Sequence, residues 1–254
     1  KMETSYFDPV LWHNNKQRAY KGYCSDIFTQ NAIDFIEKNH DQPFFCYLSF
    51  NAPHTPLQVP DKYYRIYKGI DPSEGIDPKL LPLADMNEKS DEDARRVYAM
   101  VTNIDDNLNQ LFQKLEVLGI EENTIVIFMT DNGPQQARFV GGMRGRKSSV
   151  HRGGIRVPFF ISYPSKYSGN REMNQMAPHI DLLPTLSQLC GASLPKDRKI
   201  DGRSFVPALE GKTLSERSFF SYWTRKFPEK YNNVALQRGN YKLIGKKDFD
   251  ADVE

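Results

Sequence analysis

Cysteine is scarce in this 254-residue chain, and no apolar run approaches a membrane span, which takes about 20 residues. Cys24, Cys46 and Cys190 are odd in number, widely spaced and in no C-x-x-C pattern. They read as thiols outside any disulfide or zinc framework, with Cys46, inside an apolar run, as a small buried hydrophobe. The opening residues, Lys1-Met2-Glu3-Thr4-Ser5, lead into no apolar stretch and so read as no signal peptide. Charge of one sign is missing too. With 34 basic and 32 acidic residues the net charge is +2, which gives no reason to expect nucleic acid or a membrane surface as partner. Internal repeats and low-complexity segments are absent.

What is present is ordinary globular composition, 39% hydrophobic and 26% charged. It supports a sizeable core in one large domain, or one domain plus a small one. Residues 1–22 show no clear period. Asp26 then reads as a helix N-cap, with Ile27, Phe28, Ala32, Ile33 and Ile36 on one face running to about Lys38. Phe44–Phe50 is a short apolar and aromatic run after Pro43, which favours a buried strand. Lys68 to about Ser90 reads as a long surface loop. Val97, Val101, Ile104, Leu108, Leu111, Leu115 and Leu118 form one helical stripe, closed by Gly119. Thr124–Thr130 follows as a second buried strand. Strand, long helix and strand make the pattern of a parallel α/β sheet. Residues 141–154, rich in Gly, Arg and Lys, read as a loop. Val157–Ser162 reads as a third strand. Asp181 reads as the cap of a helix Leu182–Leu189 closed by Gly191, and Ser218–Trp223 and Val234–Gln237 as parts of a small antiparallel sheet.

Ligands of open α/β sheets bind beyond the carboxyl ends of the strands. Asp131-Asn132-Gly133 ends the second strand, and its two side chains offer hard oxygen ligands suited to Ca²⁺ or Mg²⁺. An ordinary turn has the same composition. His54, between Pro53 and Pro56, is an imidazole in a rigid loop, able to bind an oxyanion or protonate a leaving group. An exposed loop histidine without a role fits the same position. Arg144-Gly145-Arg146-Lys147 sets three cations where an anionic group could bind, or where water could solvate them. Together these signals suit hydrolysis of a phosphate or sulfate ester, without choosing between sulfur and phosphorus.

Phe44–Pro56, ending in Pro53-His54-Thr55-Pro56, is similar to the strand and P-H-x-P loop of type I, arylsulfatase-like sulfatases. Thr130-Asp131-Asn132-Gly133 resembles their second metal-binding motif. Met143-Arg144-Gly145-Arg146-Lys147 with Gly153-Gly154-Ile155-Arg156-Val157-Pro158 resembles their lysine loop and its sequel. His179–Thr185 and Asp201-Gly202-Arg203-Ser204 match downstream landmarks, and the ordered set spans about residues 20–245. The resemblance implies an alkaline-phosphatase-like α/β fold, a mainly parallel sheet flanked by helices. It makes residues 1–194 the C-terminal part of that domain and 195–254 a small antiparallel subdomain. It implies metal ligation by Asp131 and Asn132, with calcium the usual ion and magnesium the alternative. It also implies catalytic contact of His54 and Lys147 with the sulfate of a sulfated small molecule or glycan, either one able to help the leaving oxygen, and a periplasmic or secreted location.

The family's nucleophile is a formylglycine made from a C/S-x-P/A-x-R motif, and no such motif occurs here. Ser193-Leu194-Pro195 begins one, but Asp197 stands at the Arg position. The family's amino-terminal Asp-Asp metal pair is also absent. These departures predict a fragment whose missing N-terminal part carries both, and which is inactive alone. Arg152 stands where the family usually has an acidic residue. Two other readings follow: a phosphate- or phosphonate-ester hydrolase of the same superfamily, or a non-catalytic binder of sulfated glycans.

Overall fold

The computed structural model describes residues 5–77, 87–227 and 231–245. The chain forms two compact units, Lys1–Glu122 with Met129–Phe159, and Asn123–Phe128 with Phe160–Glu254. No helix among the described residues is long and apolar enough to cross a membrane.

The first unit opens with a hairpin that composition did not announce. Strands β1 (Val10–His13) and β2 (Lys16–Ala19) pair antiparallel, with Val10 opposite Ala19 and His13 opposite Lys16. Asn14 and Asn15 turn the chain at φ 48° and 64°, a left-handed pair that asparagine tolerates. Both strands are almost wholly exposed. No buried face exists to impose an apolar alternation on the sequence, which is why the region showed no period.

Helix α1 (Cys24–Asn39) buries Ile27, Ala32, Ile33 and Ile36, the expected face. Asp26 is not its cap. The helix starts two residues earlier, after Tyr23 in extended backbone. The Asp26 carboxylate instead accepts from the side-chain amides of Asn103 and Asn107, each at 2.8 Å. Those asparagines lie buried on α3 (Glu88–Val117), and buried amides require an acceptor. A short helix, α2 (Asp61–Tyr67), also packs on α3.

Helix α3 begins well before the apolar stripe, because its first turns are polar. The Asn87 side chain caps it by accepting from the Ser90 amide at 3.0 Å. Of the stripe, Val97, Ile104 and Leu115 are buried, while Val101 is 48% exposed. Gly119 closes the helix at φ 66°, as expected. Of the expected loop from Lys68 to Ser90, residues 78–86 lie outside the described residues and Glu88 onward is helical.

Phe44–Phe50 is not a strand. Phe45 is 74% and Tyr47 82% exposed, and Phe44 packs edge-on against Phe35 of α1. An apolar run becomes a strand only when another strand satisfies its backbone, and none pairs with this one among the described residues. The expected strand–helix–strand unit through α3 is therefore not formed by these segments. Within residues 141–154, expected as pure loop, the chain ends in a single helical turn, α4 (Arg152–Ile155).

Strand β3 (Val126–Met129) pairs with β4 (Phe159–Ser162), the cores of the two other expected strands, and all of their residues except Met129 and Phe159 belong to the second unit. Phe128 meets Phe160 there at 6.3 Å between ring centres. Helix α5 (Leu182–Leu189) has the expected bounds and the expected Gly191. Asp181 precedes it without capping it. Its wholly buried carboxylate instead accepts from the Arg203 amide at 2.9 Å and from the Arg217 guanidinium. Thr185 ties the same corner, donating to the Asp181 carbonyl and accepting from the Phe205 amide beside α6 (Val206–Leu209). The expected antiparallel sheet is present as β5 (Ser218–Tyr222), β6 (Val234–Arg238) and β7 (Tyr241–Ile244).

Candidate active site

The loop carrying His54 has cis peptides at Ala52–Pro53 and Thr55–Pro56. It closes as a turn in which the His54 amide donates to the Asn51 carbonyl at 2.9 Å. The imidazole is exposed, and its Nδ1 lies 2.8 Å from the Thr55 carbonyl. A carbonyl can only accept, so Nδ1 carries the proton. That leaves Nε2 as the atom available to a ligand, an acceptor in the neutral ring and a donor in the charged one.

The Asp131–Asn132 pair and the lysine loop are brought together by backbone. The Gly133 amide donates to the Gly154 carbonyl at 2.9 Å, and the Lys147 amide donates to the Pro134 carbonyl at 2.9 Å. Gly133 permits this approach, and Gly153 and Gly154 let the lysine loop fold closely on itself. A Cβ on Gly133 would sit 1.8 Å from the Gly153 carbonyl oxygen, one on Gly153 2.2 Å from the Gly145 oxygen, and one on Gly154 2.2 Å from the Ser149 oxygen. The loop is anchored by buried Ala137, Val140 and Val150. It is therefore packed, although its composition reads as pure loop. Lys147 is half-buried, while Arg144 and Arg152 are exposed. Burial pushes the Arg138 guanidinium down from its ordinary range, partly offset by Tyr98 and Asp93.

Among the described residues no three carboxylates, histidines or cysteines converge as a metal-binding group. Asp131 holds one carboxylate oxygen against the Asn132 amide at 2.8 Å. Its other oxygen and the Asn132 side-chain oxygen remain for a ligand. These are hard donors, the chemistry Ca²⁺ and Mg²⁺ prefer. The pair fits one side of such a site, and the 6–8 ligands typical of calcium would require donors beyond it.

His54 occupies the same compact unit as these residues, but its own hydrogen bonds run elsewhere. The buried Tyr6 hydroxyl donates to the carbonyls of His54 and Asn51, at 3.0 and 3.3 Å. Sequence reasoning missed Tyr6, and missed Gln58, whose side chain accepts from the Tyr6 amide at 2.7 Å. No local pattern marks bonds that join residues 45–52 positions apart.

Comparison with known proteins then places the chain. A family model described as Sulfatase matches residues 3–192. A second, N-sulphoglucosamine sulphohydrolase, C-terminal, matches residues 146–252. The uncharacterized sulfatase YdeN of Escherichia coli K12 is 31% identical over 95% of this chain and 41% of its own length. An arylsulfatase of Hemicentrotus pulcherrimus is 31% identical over 88% of this chain and 36% of its own. The chain thus spans about two fifths of the length of these curated relatives. Among solved structures, Ps i-CgsB in complex with k-i-k-neocarrahexaose superposes with a TM-score of 0.77 at 25% identity, covering 93% of this chain and 49% of that one.

Proposed function

This chain belongs to the sulfatase family and has its alkaline-phosphatase-like fold, and on that premise we propose that the complete protein hydrolyses sulfate esters of a sulfated glycan. The observation that carries the reading is the pair of backbone bonds, Gly133 to Gly154 and Lys147 to Pro134, that seats the lysine loop beside Asp131 and Asn132. A cation and two hard-oxygen donors in one place suit an anionic sulfate ester and its metal better than they suit a turn. The match of residues 146–252 to an N-sulphoglucosamine sulphohydrolase model supports a sulfated sugar as substrate class.

In this reading Asp131 and Asn132 hold a divalent cation, calcium or magnesium, through the carboxylate and the amide oxygen. When bound, the ion offsets negative charge on the transferring sulfuryl group. Lys147 directs an ammonium, three donors and a full charge, at the non-bridging oxygens. His54, with Nδ1–H fixed on the Thr55 carbonyl, presents Nε2 to the sulfate and, when charged, gives its proton to the departing alcohol oxygen. The formylglycine nucleophile and the remaining metal carboxylates come from a part of the enzyme outside this chain. Residues 1–194 then belong to the catalytic domain and 195–254 to a small C-terminal subdomain, in a protein that works in the periplasm or after secretion.

Turnover of paired substrates by the complete protein tests this reading against phosphonate-ester hydrolysis. A higher kcat/KM for an aryl sulfate than for the matching aryl phosphonate monoester is expected. The reverse preference, or no sulfate released from either aryl or sugar sulfates, overturns the proposal.

A further inference from the structure

We propose that Tyr6 is a positioning residue for His54, an inference that rests on the reading of His54 as a sulfate-site residue. Four observations converge on it. The hydroxyl of Tyr6 spans the Asn51 and His54 carbonyls, the two ends of the turn that carries the imidazole. Its amide reaches past the second cis proline to the Gln58 side chain, 2.7 Å away. Its own carbonyl accepts from the Cys24 amide at 2.8 Å, which ties it to the first residue of α1. Its ring packs edge-on against Tyr23 at 6.2 Å, and the Tyr23 hydroxyl in turn donates to the Gln58 carbonyl at 2.8 Å.

The loop is thus held at both ends by a buried tyrosine pair rooted on a helix, while the imidazole stays exposed. Burial, with a contribution from Cys24, raises the Tyr6 phenol above its ordinary range. The hydroxyl therefore remains a donor through neutral and mildly alkaline pH. A single proton shared by two carbonyls restrains the turn, not the ring directly. Its loss lets His54 wander from the reacting oxygen while leaving other substrate contacts in place, and misplacement of about 1 Å can cost up to 100-fold in rate.

Tyr6→Phe in the complete enzyme is the test, since it keeps the ring on Tyr23 and removes only the donor. The expected result is a kcat about tenfold lower with KM within about twofold, together with a shifted or exchange-broadened His54 Nδ1–H resonance. His54→Ala is measured alongside. An unchanged kcat and resonance in Tyr6→Phe, with His54→Ala inactive, overturns the positioning role alone. Wild-type kcat in His54→Ala overturns the reading on which it rests. Should Tyr6→Phe fail to fold, Gln58→Ala decides, because it frees the Tyr6 amide from the loop. A several-fold lower kcat supports the proposal, and an unchanged one overturns it.

Discussion

The amide of Gly133 donates to the carbonyl of Gly154 at 2.9 Å, so a residue directly after the Asp131–Asn132 pair is fastened to the far end of the lysine loop. Neither residue has a side chain to contribute. Gly133 lets its backbone approach the Gly153 carbonyl more closely than any Cβ permits, and Gly154 lets the loop fold against the Ser149 carbonyl.

Gly133→Ala should therefore be among the most damaging single changes in the first unit. The new methyl meets a carbonyl oxygen at 1.8 Å, and backbone cannot swing aside as a side chain can. A loss of about 2–3 kcal/mol is expected from overpacking of this kind. Chemical denaturation checks it, and an unchanged midpoint would show that the two segments are not in contact.

Asp26→Ala should cost about 2–4 kcal/mol, because two buried amides, those of Asn103 and Asn107, lose their common acceptor. Asp26→Asn keeps a carbonyl oxygen in place and should cost less than half as much. Equal losses in the two variants would assign the effect to helix charge rather than to the acceptor.

Asp181→Ala leaves the Arg217 guanidinium largely buried and unpaired, and removes the acceptor of the Arg203 amide. A loss of about 3–5 kcal/mol is expected for breaking such a pair from one side. Replacing both members, as Asp181→Asn with Arg217→Met, should recover part of it. A double variant worse than the sum of the singles would contradict the ion-pair account.

The sequence made several elements legible for physical reasons that operate locally. Helix α5 and its closing Gly191 follow from a short apolar run and a left-handed glycine. Strands β5 and β6 follow from short runs at Ser218–Trp223 and Val234–Gln237, while β7 was not read from the sequence. Gly153 and Gly154 were visible as a motif, but the reason for them, close approach to the Gly145 and Ser149 carbonyls of the same loop, was not. Three failures share one cause. Asp26 and Asp181 have the composition of caps, yet each serves partners 22–81 residues away. Phe44–Phe50 has the composition of a buried strand, yet whether such a run pairs depends on strands elsewhere. Local chemistry names what a residue is able to bond, and the tertiary fold chooses the partner.

Calcium affinity separates the chain's own donors from those expected elsewhere in the enzyme. The 254-residue chain offers Asp131 and Asn132 but no group of three ligands among its described residues. Titration calorimetry should find binding weaker than micromolar, and Asp131→Ala should abolish what remains. Micromolar binding by the chain alone would mean that the site is already complete within it.

The most direct test of the account is the kinetics of His54→Ala and Lys147→Ala in the complete protein on an aryl sulfate. Loss of one preorganised donor at a centre where charge develops costs on the order of 100-fold or more in rate. Each variant should therefore lose about that much kcat, with KM changing far less, while both retain the wild-type unfolding midpoint. Wild-type kcat/KM in both variants would contradict the account and return the two residues to the solvated loop positions that their composition also allows.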